Sequence, residues 1–381
     1  MTVNGRVSLK RIRWHGATVG SLTIMDAYLD QAERTISLGV REMACRLNGN
    51  SSNFEKTAEN LARAAQVHSS GETLRDLIEC EGRKILKAQR EGKLPITWSA
   101  ADCHTDAKDL ASPTRVYLGS DGVMVPMVTD VEKKKRRQKT KEKRRRRGKK
   151  CQPLPRAKTG ADQSYKEFKI VAYYDETQAH RLVAGTKDNH KEAGRVMRRL
   201  ATAIDLDEAD EKIGVVDGAP WIRNQMIRQC LDLDAIGLDF YHLAENVHKA
   251  RRAVYSEECE DGKTWVANLL HVFKHEGYDA AWEILVLWRA TLRSSKRQAA
   301  DTLLNFVSDR RDMIQYPEFQ KKNWQIGSGP TEATCKTLTT RLKGSGMRWD
   351  AGNAEAIMAI ESLTQSGLWN SYWQSHLATA A

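Results

Sequence analysis

An α/β fold is predicted, with a mixed sheet that carries an all-helical insertion and follows a helical N-terminal region. Three observations predict it. Short β-rich runs between Val116 and Tyr241 alternate with helical patterns. Residues 243 to about 320 read as long helices throughout. From Ile36 to about Gly92, capping signals precede apolar residues at helical spacing.

The N-terminal helices come first. Ser52-Asn53-Phe54-Glu55 and Ser69-Ser70-Gly71-Glu72 fit the capping-box pattern, in which Ser and Glu satisfy free backbone donors at a helix start. Leu61, Ala64 and Ala65, then Leu74, Leu77, Ile78 and Ile85, supply the buried stripes. Two readings are open for this region. It is either a helix-turn-helix with the segment from Ser70 as recognition helix, or a helical packing unit.

Strands begin near Arg115. Val116 to Val125 reads as two strands around a glycine-containing turn, and Phe168 to Tyr174 as a third. A helix near Lys191–Ile204 leads to Ile213-Gly214-Val215-Val216-Asp217, a short buried strand ending in an acid. A helix over Ala219–Leu231 and a fifth strand over Ala235–Tyr241 follow. Three strands, a helix, a strand, a helix and a strand is the order of an RNase H-like core, which places strand-end acids on one side of the sheet. Helices with Trp265, Trp282, Trp288, Leu269, Leu270 and Leu303 then interrupt it. Two helices separated by Gly344-Ser345-Gly346 complete it between Gly327 and Trp373. The expected organisation is a helical region 1–110 that binds DNA, a first core part 111–242, the insertion 243–322 and a second core part 323–381.

Charge is unevenly spread. Between Lys133 and Lys150 there are fourteen Lys and Arg residues and one acid, Glu142, a local +13; against a total of +12 the rest of the chain sums to −1. The segment, a basic loop over 132–152 closed by Pro153 and Pro155, is expected to be solvated and to meet a polyanion first. Lys133, Lys134, Lys135, Arg136, Arg137, Arg144, Arg145, Arg146 and Arg147 are its candidate DNA contacts. A nuclear-localisation signal fits the same composition. Seven cysteines stand singly with no CxxC pair, which argues against a zinc ribbon or a disulfide framework and fits reduced thiols. No apolar run nears the roughly 20 residues that span a bilayer, and the N-terminus lacks the apolar stretch of a secretory signal. A cytoplasmic protein is expected.

Three acids stand out together. Asp121 and Asp217 each precede glycine, a common turn pair, and Glu332 lies in a first helical turn, where the dipole favours any acid. Singly each has a structural explanation. As a set they come from distant parts of the chain to the ends of core elements, and hard divalent cations prefer such carboxylates. Pairs of such ions about 3.5–4 Å apart catalyse in-line displacement at phosphorus. On the helix of Glu332, Pro330 suits the first position and Gly344 the end. Lys336, Thr339 and Lys343 share the face of Glu332, beside an apolar stripe of Cys335, Leu338 and Leu342. Lys336 and Lys343 are therefore candidates to hold DNA phosphates. Trp324 is expected in the core; Trp349 is open between core and base stacking.

Ile326-Gly327-Ser328-Gly329-Pro330-Thr331-Glu332-Ala333 and Arg341-Leu342-Lys343-Gly344-Ser345-Gly346-Met347-Arg348-Trp349 closely resemble the C-terminal signature of ISKra-type bacterial insertion-sequence transposases. Val215-Val216-Asp217-Gly218-Ala219 and Leu118-Gly119-Ser120-Asp121-Gly122 match positions where that family carries its first two catalytic acids. The resemblance covers roughly residues 110 to 373. It implies a DDE transposase with an RNase H-like fold, two Mg²⁺ ions that Mn²⁺ can replace, and no covalent enzyme–DNA intermediate. Asp121, Asp217 and Glu332 would be the triad and the metal ligands. Asp239-Phe240-Tyr241-His242 resembles the acid-x-x-His element of related Mutator-like transposases, which makes His242 a further catalytic candidate; capping of the strand end is its other reading. Arg348 joins the candidate DNA contacts. DNA ends, target DNA and a second copy of the chain are the implied partners. The paired cysteines common in the N-terminal regions of that family are missing, so terminal-repeat recognition by residues 36–92 is less secure. A structure-selective nuclease and a catalytically idle DNA-binding regulator are the competing functions.

Overall fold

The structure, a computed structural model, describes residues 10, 12–18, 20–23, 36–147, 154 and 156–378. A small antiparallel pair, β1 (Trp14–Gly16) and β2 (Gly20–Leu22), precedes helices α1 (Leu38–Gly49), α2 (Phe54–Ala65) and α3 (Gly71–Arg90). Short side chains set these helix starts: Ser37, Asn53 and Ser70 accept from Val40, Lys56 and Thr73 N–H. Asn53, one residue after the expected Ser52, caps α2.

The sheet has five strands, β3 (Arg115–Pro126), β4 (Tyr165–Asp175), β5 (Arg181–Thr186), β6 (Glu211–Val216) and β7 (Ala235–Leu238), in the order β5-β4-β3-β6-β7. β3, β4 and β5 form an antiparallel meander, while β6 and β7 run parallel to β3. Helix α5 (His190–Ala203) links β5 to β6, and α6 (Pro220–Arg228) links β6 to β7.

Two expectations for these strands are corrected. Val116 to Val125 is one strand, paired with β4 without interruption from Val116↔Asp175 to Pro126↔Tyr165, so Asp121 lies inside it and does not end it. Gly122 is no turn residue: a Cβ there would lie 2.1 Å from Glu167 Oε1, and its bareness admits that side chain. The third strand of the meander is β5, which follows the turn after Asp175. The fifth strand stops at Leu238, because Asp239 accepts from Tyr241 N–H and starts helix α7 (Phe240–Val254).

The expected helical stretch holds α7, α8 (Glu260–His275), α9 (Tyr278–Thr291), α10 (Ser294–Ser308) and α11 (Tyr316–Lys321). Trp265 and Trp288 stack at 4.1 Å between ring centres, and Trp288 Nε1 donates to Tyr255 Oη at 3.0 Å. α11 closes against the sheet: a Cβ on Gly237 of β7 would lie 2.7 Å from Phe319.

Three helices end the chain where two were expected, α12 (Gly329–Thr340), α13 (Ala351–Gln365) and α14 (Trp369–Ala378). α3 packs along α13 so closely that a Cβ on Gly82 would meet Ala356 O at 2.3 Å. α3 buries Leu74, Leu77, Ile78 and Ile85, the stripe expected from their spacing. Trp324 and Trp349 are both buried, and Trp349 Nε1 donates to Leu342 O at 3.0 Å, which settles its role as core.

The basic segment is a helix, α4 (Asp130–Arg146), and not the loop expected over 132–152. None of its side chains is buried, so packing does not form it. Local terms do. Thr129 and Glu132 make a reciprocal capping box, acids occupy the first turn, and Lys143 to Arg146 oppose the dipole at the end. Lys and Arg are also good helix formers. Residues 148–153 and Pro155, the remainder of that expected loop, lie outside the described residues.

Candidate active site

Parallel pairing gathers the acids. β3 and β6 pair as far as Leu118↔Gly214, and Asp121 and Asp217 each lie three residues beyond that pair. β6 and β7 pair as far as Val216↔Leu238, and Asp217 and Asp239 each follow it directly. Three carboxylates thus stand on neighbouring strands at the carboxyl end of the parallel part of the sheet. There the strand order reverses, between β3 and β6, a place where open α/β sheets form crevices.

The turn after β6 is built around Gly218, at φ +87°. A Cβ there would lie 2.7 Å from both Arg310 Nε and Leu238 Cδ1. Arg310 donates from Nε and Nη2 to Gly218 O at 3.0 and 2.8 Å, and Asp217 Oδ1 accepts from Ala219 N–H at 2.8 Å. The carboxylate of Asp217 is thereby held from both sides of its own turn.

Glu332 arrives on α12. Thr331 is buried against β3, at a spot where a Cβ on Gly119 would lie 1.8 Å from Thr331 Oγ1. With Cys335 and Leu338 buried as expected, Glu332 and Lys336 stay exposed. Thr339 leaves the charged face predicted for it; it is fully buried, with Oγ1 donating to Cys335 O at 2.7 Å. Lys343 lies past the helix end, which falls at Thr340 and not at Gly344.

Asp239 is the most buried acid of the group, at 0% exposure. It accepts from Tyr241 N–H at 2.9 Å, from Ser328 Oγ at 2.7 Å, and bonds His242 Nδ1 at 2.8 Å. Burial acts to raise its pKa, yet these three partners together hold the carboxyl below its ordinary value. The same contact with Asp239 lifts His242 to about 9, against the opposing effect of burial. Ser328 also reaches Glu332 Oε1 at 3.4 Å.

Asp121 registers the charges of the cluster. Burial pushes its carboxyl up; the Gly122 N–H pulls it down, the Asp217 charge raises it, the His242 charge lowers it and the Glu332 charge raises it. Anions in each other's field, partly shielded from water, favour a bound cation. Cys335 beside Asp121 is kept a neutral thiol by burial and by that acid, so no thiolate nucleophile exists there.

Among the described residues, the group whose ligand atoms all lie within 4.8 Å of one another is Asp239, His242 and Glu332. Asp121 and Asp217 stand outside that group while sharing its field, so the three acids named from sequence do not by themselves form so tight a set. Carboxylates with one imidazole suit a hard divalent ion better than a soft one. Asp239 and Ser328 were missed as site residues. The Asp-x-x-His spacing pointed to Asp239, whereas nothing local marked Ser328 or Arg310.

The predicted DNA contacts divide. Lys134, Lys135, Arg136, Arg145, Arg146 and Arg147 are exposed on and just after α4. Arg144 is half-buried, and Arg137 donates to Leu154 O at 3.4 Å. Lys133 pairs with Asp350, and Arg348 with Glu132 at 2.8 Å. Those last two fasten α4 to the segment between α12 and α13, a structural use that was not foreseen. Known proteins supply no further assignment: no family model and no curated protein matches the chain. No helix among the described residues is long and apolar enough to cross a membrane.

Proposed function

We propose that this chain is a DNA transposase of an insertion sequence, cutting and joining DNA with two divalent ions, Mg²⁺ or Mn²⁺, held by Asp121, Asp217 and Glu332. The observation that carries this reading is the convergence of carboxylates from β3, β6, β7 and α12 on one sheet end, with Asp121 in the field of both Asp217 and Glu332. The strand order and directions, with a helical stretch before the Glu332 helix, support an RNase H-like core. The match to the ISKra-type signature supports the same reading.

When bound, the ions would activate the attacking oxygen and offset charge on the leaving one. The chain's part is placement. Asp217 is aimed by its turn and Arg310, and Glu332 by the close seat of Thr331 on Gly119. Asp239, close to both Glu332 and His242, is the natural addition to the ligand set. His242, held through Nδ1, offers its other ring nitrogen to a phosphate oxygen. Water cuts at the element end, and the freed 3′-hydroxyl attacks target DNA, so no protein nucleophile is needed. Basic side chains on α4, with Lys336 and Lys343, would add salt-dependent affinity. Joining two ends calls for at least a dimer on DNA, and such an enzyme would act in the bacterial cytoplasm.

The test is a gel assay with DNA from the element's own ends, Mg²⁺ or Mn²⁺, and a chelator control. Wild type should give cleaved and joined products, and Asp217→Ala should bind DNA without cutting it. Equal cleavage by Asp217→Ala would end the proposal. Cleavage without joined products from pre-cut ends would favour a nuclease, and binding with no cleavage a regulator.

A further inference from the structure

Another cationic surface lies away from the acids and from α4. The C-terminal end of α3, the length of α5 and the end of α6 enclose a concavity of about 930 Å³. Six cations line it, Arg90, Lys191, Arg195, Arg198, Arg199 and Arg228, against one acid, Glu91. Outside the segment 133–150 the chain sums to −1, so this is a local concentration and no reflection of average composition.

The arrangement follows from helical spacing and one close contact. Lys191, Arg195, Arg198 and Thr202 recur at intervals of four, three and four, so they share a face of α5. Gly194 lets α6 pack directly on α5, since a Cβ there would lie 2.2 Å from the buried Gln225 Oε1. Arg228, one turn further along α6, therefore comes up beside that face. Arg90 and Arg199 are engaged within the protein, with Glu355 at 2.9 Å and Glu192 at 3.0 Å, and the exposed Arg195 also pairs with Glu192 at 3.0 Å. Lys191, Arg198 and Arg228 are exposed and have no ion pair among the described residues.

The cationic excess ends at Arg195, which also lines an adjoining cavity of about 590 Å³ where Lys166, Lys169 and Lys187 stand with Glu167, Asp188 and Glu192. There Lys169 pairs with Glu167 at 2.7 Å and Lys187 with Asp188 at 3.1 Å. Arginine forks match phosphate geometry, and a duplex offers one negative charge per about 1.7 Å of its length.

We infer that this concavity is a second DNA-backbone surface, which holds duplex outside the cut site. The inference rests on the reading of the chain as an enzyme acting on DNA. A free phosphate compound shares the chemistry, and the test separates the two.

Binding of a duplex is measured in chelator over a range of salt, for the full chain and for R195A/R198A/R228A. Loss of three phosphate contacts should make the slope of log affinity against log salt shallower by about 2.7. The triple Arg→Lys variant should recover most of that slope, which a merely structural role for these exposed side chains would not produce. Thermal melting of each variant checks folding. If wild type binds DNA and the alanine variant shows the same affinity and slope, the inference is overturned while the proposed function stands. If wild type binds no DNA, both fall. If inorganic phosphate or a nucleoside triphosphate raises the melting temperature of wild type but not of the variant, and the DNA slope is unchanged, the concavity serves a small anion and the inference is overturned.

Discussion

Gly119 and Thr331 touch where α12 crosses β3, and the space a Cβ on Gly119 would need is filled by the threonine hydroxyl, 1.8 Å away. This contact decides how near Glu332 comes to Asp121. Overpacking of a dense interior typically costs about 1–3 kcal/mol. Gly119→Ala is expected to lose that much stability in urea unfolding, and to lose cleavage more steeply than it loses DNA binding. An unchanged midpoint in urea would show that α12 is not seated as described.

His242 makes stability depend on pH in metal-free protein. Its folded pKa of about 9 lies above the ordinary 6.5. The stabilisation from the charged ring is therefore complete below about 6.5 and is lost as pH rises through about 9. About a third of the ring is exposed, so screening leaves an effect on the order of a few degrees in Tm. In chelator, wild type should melt lower at pH 9.5 than at pH 6.5 by that amount more than His242→Gln does. Parallel profiles for the two proteins would contradict the assignment.

Arg115 ties the start of β3 to the chain leading into α12. Its guanidinium meets Glu211 at 2.6 Å, Glu176 at 2.9 Å, and the carbonyls of Asn323 and Lys322 at 2.9 and 3.1 Å. Removing one member of a fully buried ion pair costs about 3–5 kcal/mol. Glu176 and Glu211 stay about a quarter exposed and Glu176 keeps Tyr117 and Gln325 as donors, so the loss here is about 1–3 kcal/mol. Arg115→Met should fall in that range, and Arg115→Lys should recover only part, lacking the planar fork. Chemical denaturation gives both values, and full recovery by lysine would refute the role of the fork.

Arg310 holds the turn that presents Asp217. Arg310→Ala removes both hydrogen bonds to Gly218 O, worth about 1–3 kcal/mol together. Hydrogen exchange at Ala219, whose amide donates to Asp217, should quicken, and cleavage should drop while duplex affinity holds. Protection at Ala219 equal to wild type would mean that the turn stands without Arg310.

Much of this was legible in residue order. Ser70 and Asn53 cap helices, Ile213 to Val216 form a buried strand, and Cys335, Leu338 and Leu342 pack as their spacing requires. Errors arose where a local signal had two meanings. Asp121-Gly122 has the composition of a turn, yet a partner strand turned it into the middle of β3. The lysine-rich segment has nothing to bury, which resembles a loop, yet its capping box and charge order suffice for a helix. Asp239 looked like a strand-end neighbour of His242, and its contact with Ser328, 89 positions away, was invisible in the chain.

The sequence alone determined the alternation of strands and helices and the location of excess charge, because periodicity, caps and charge act between near neighbours. Tertiary structure alone decided which carboxylates share one field, that Lys133 and Arg348 fasten a helix, and that arginines of α5 and α6 line one concavity. Those relations depend on strand register and on glycines that let elements approach, and neither is encoded within a short stretch of chain.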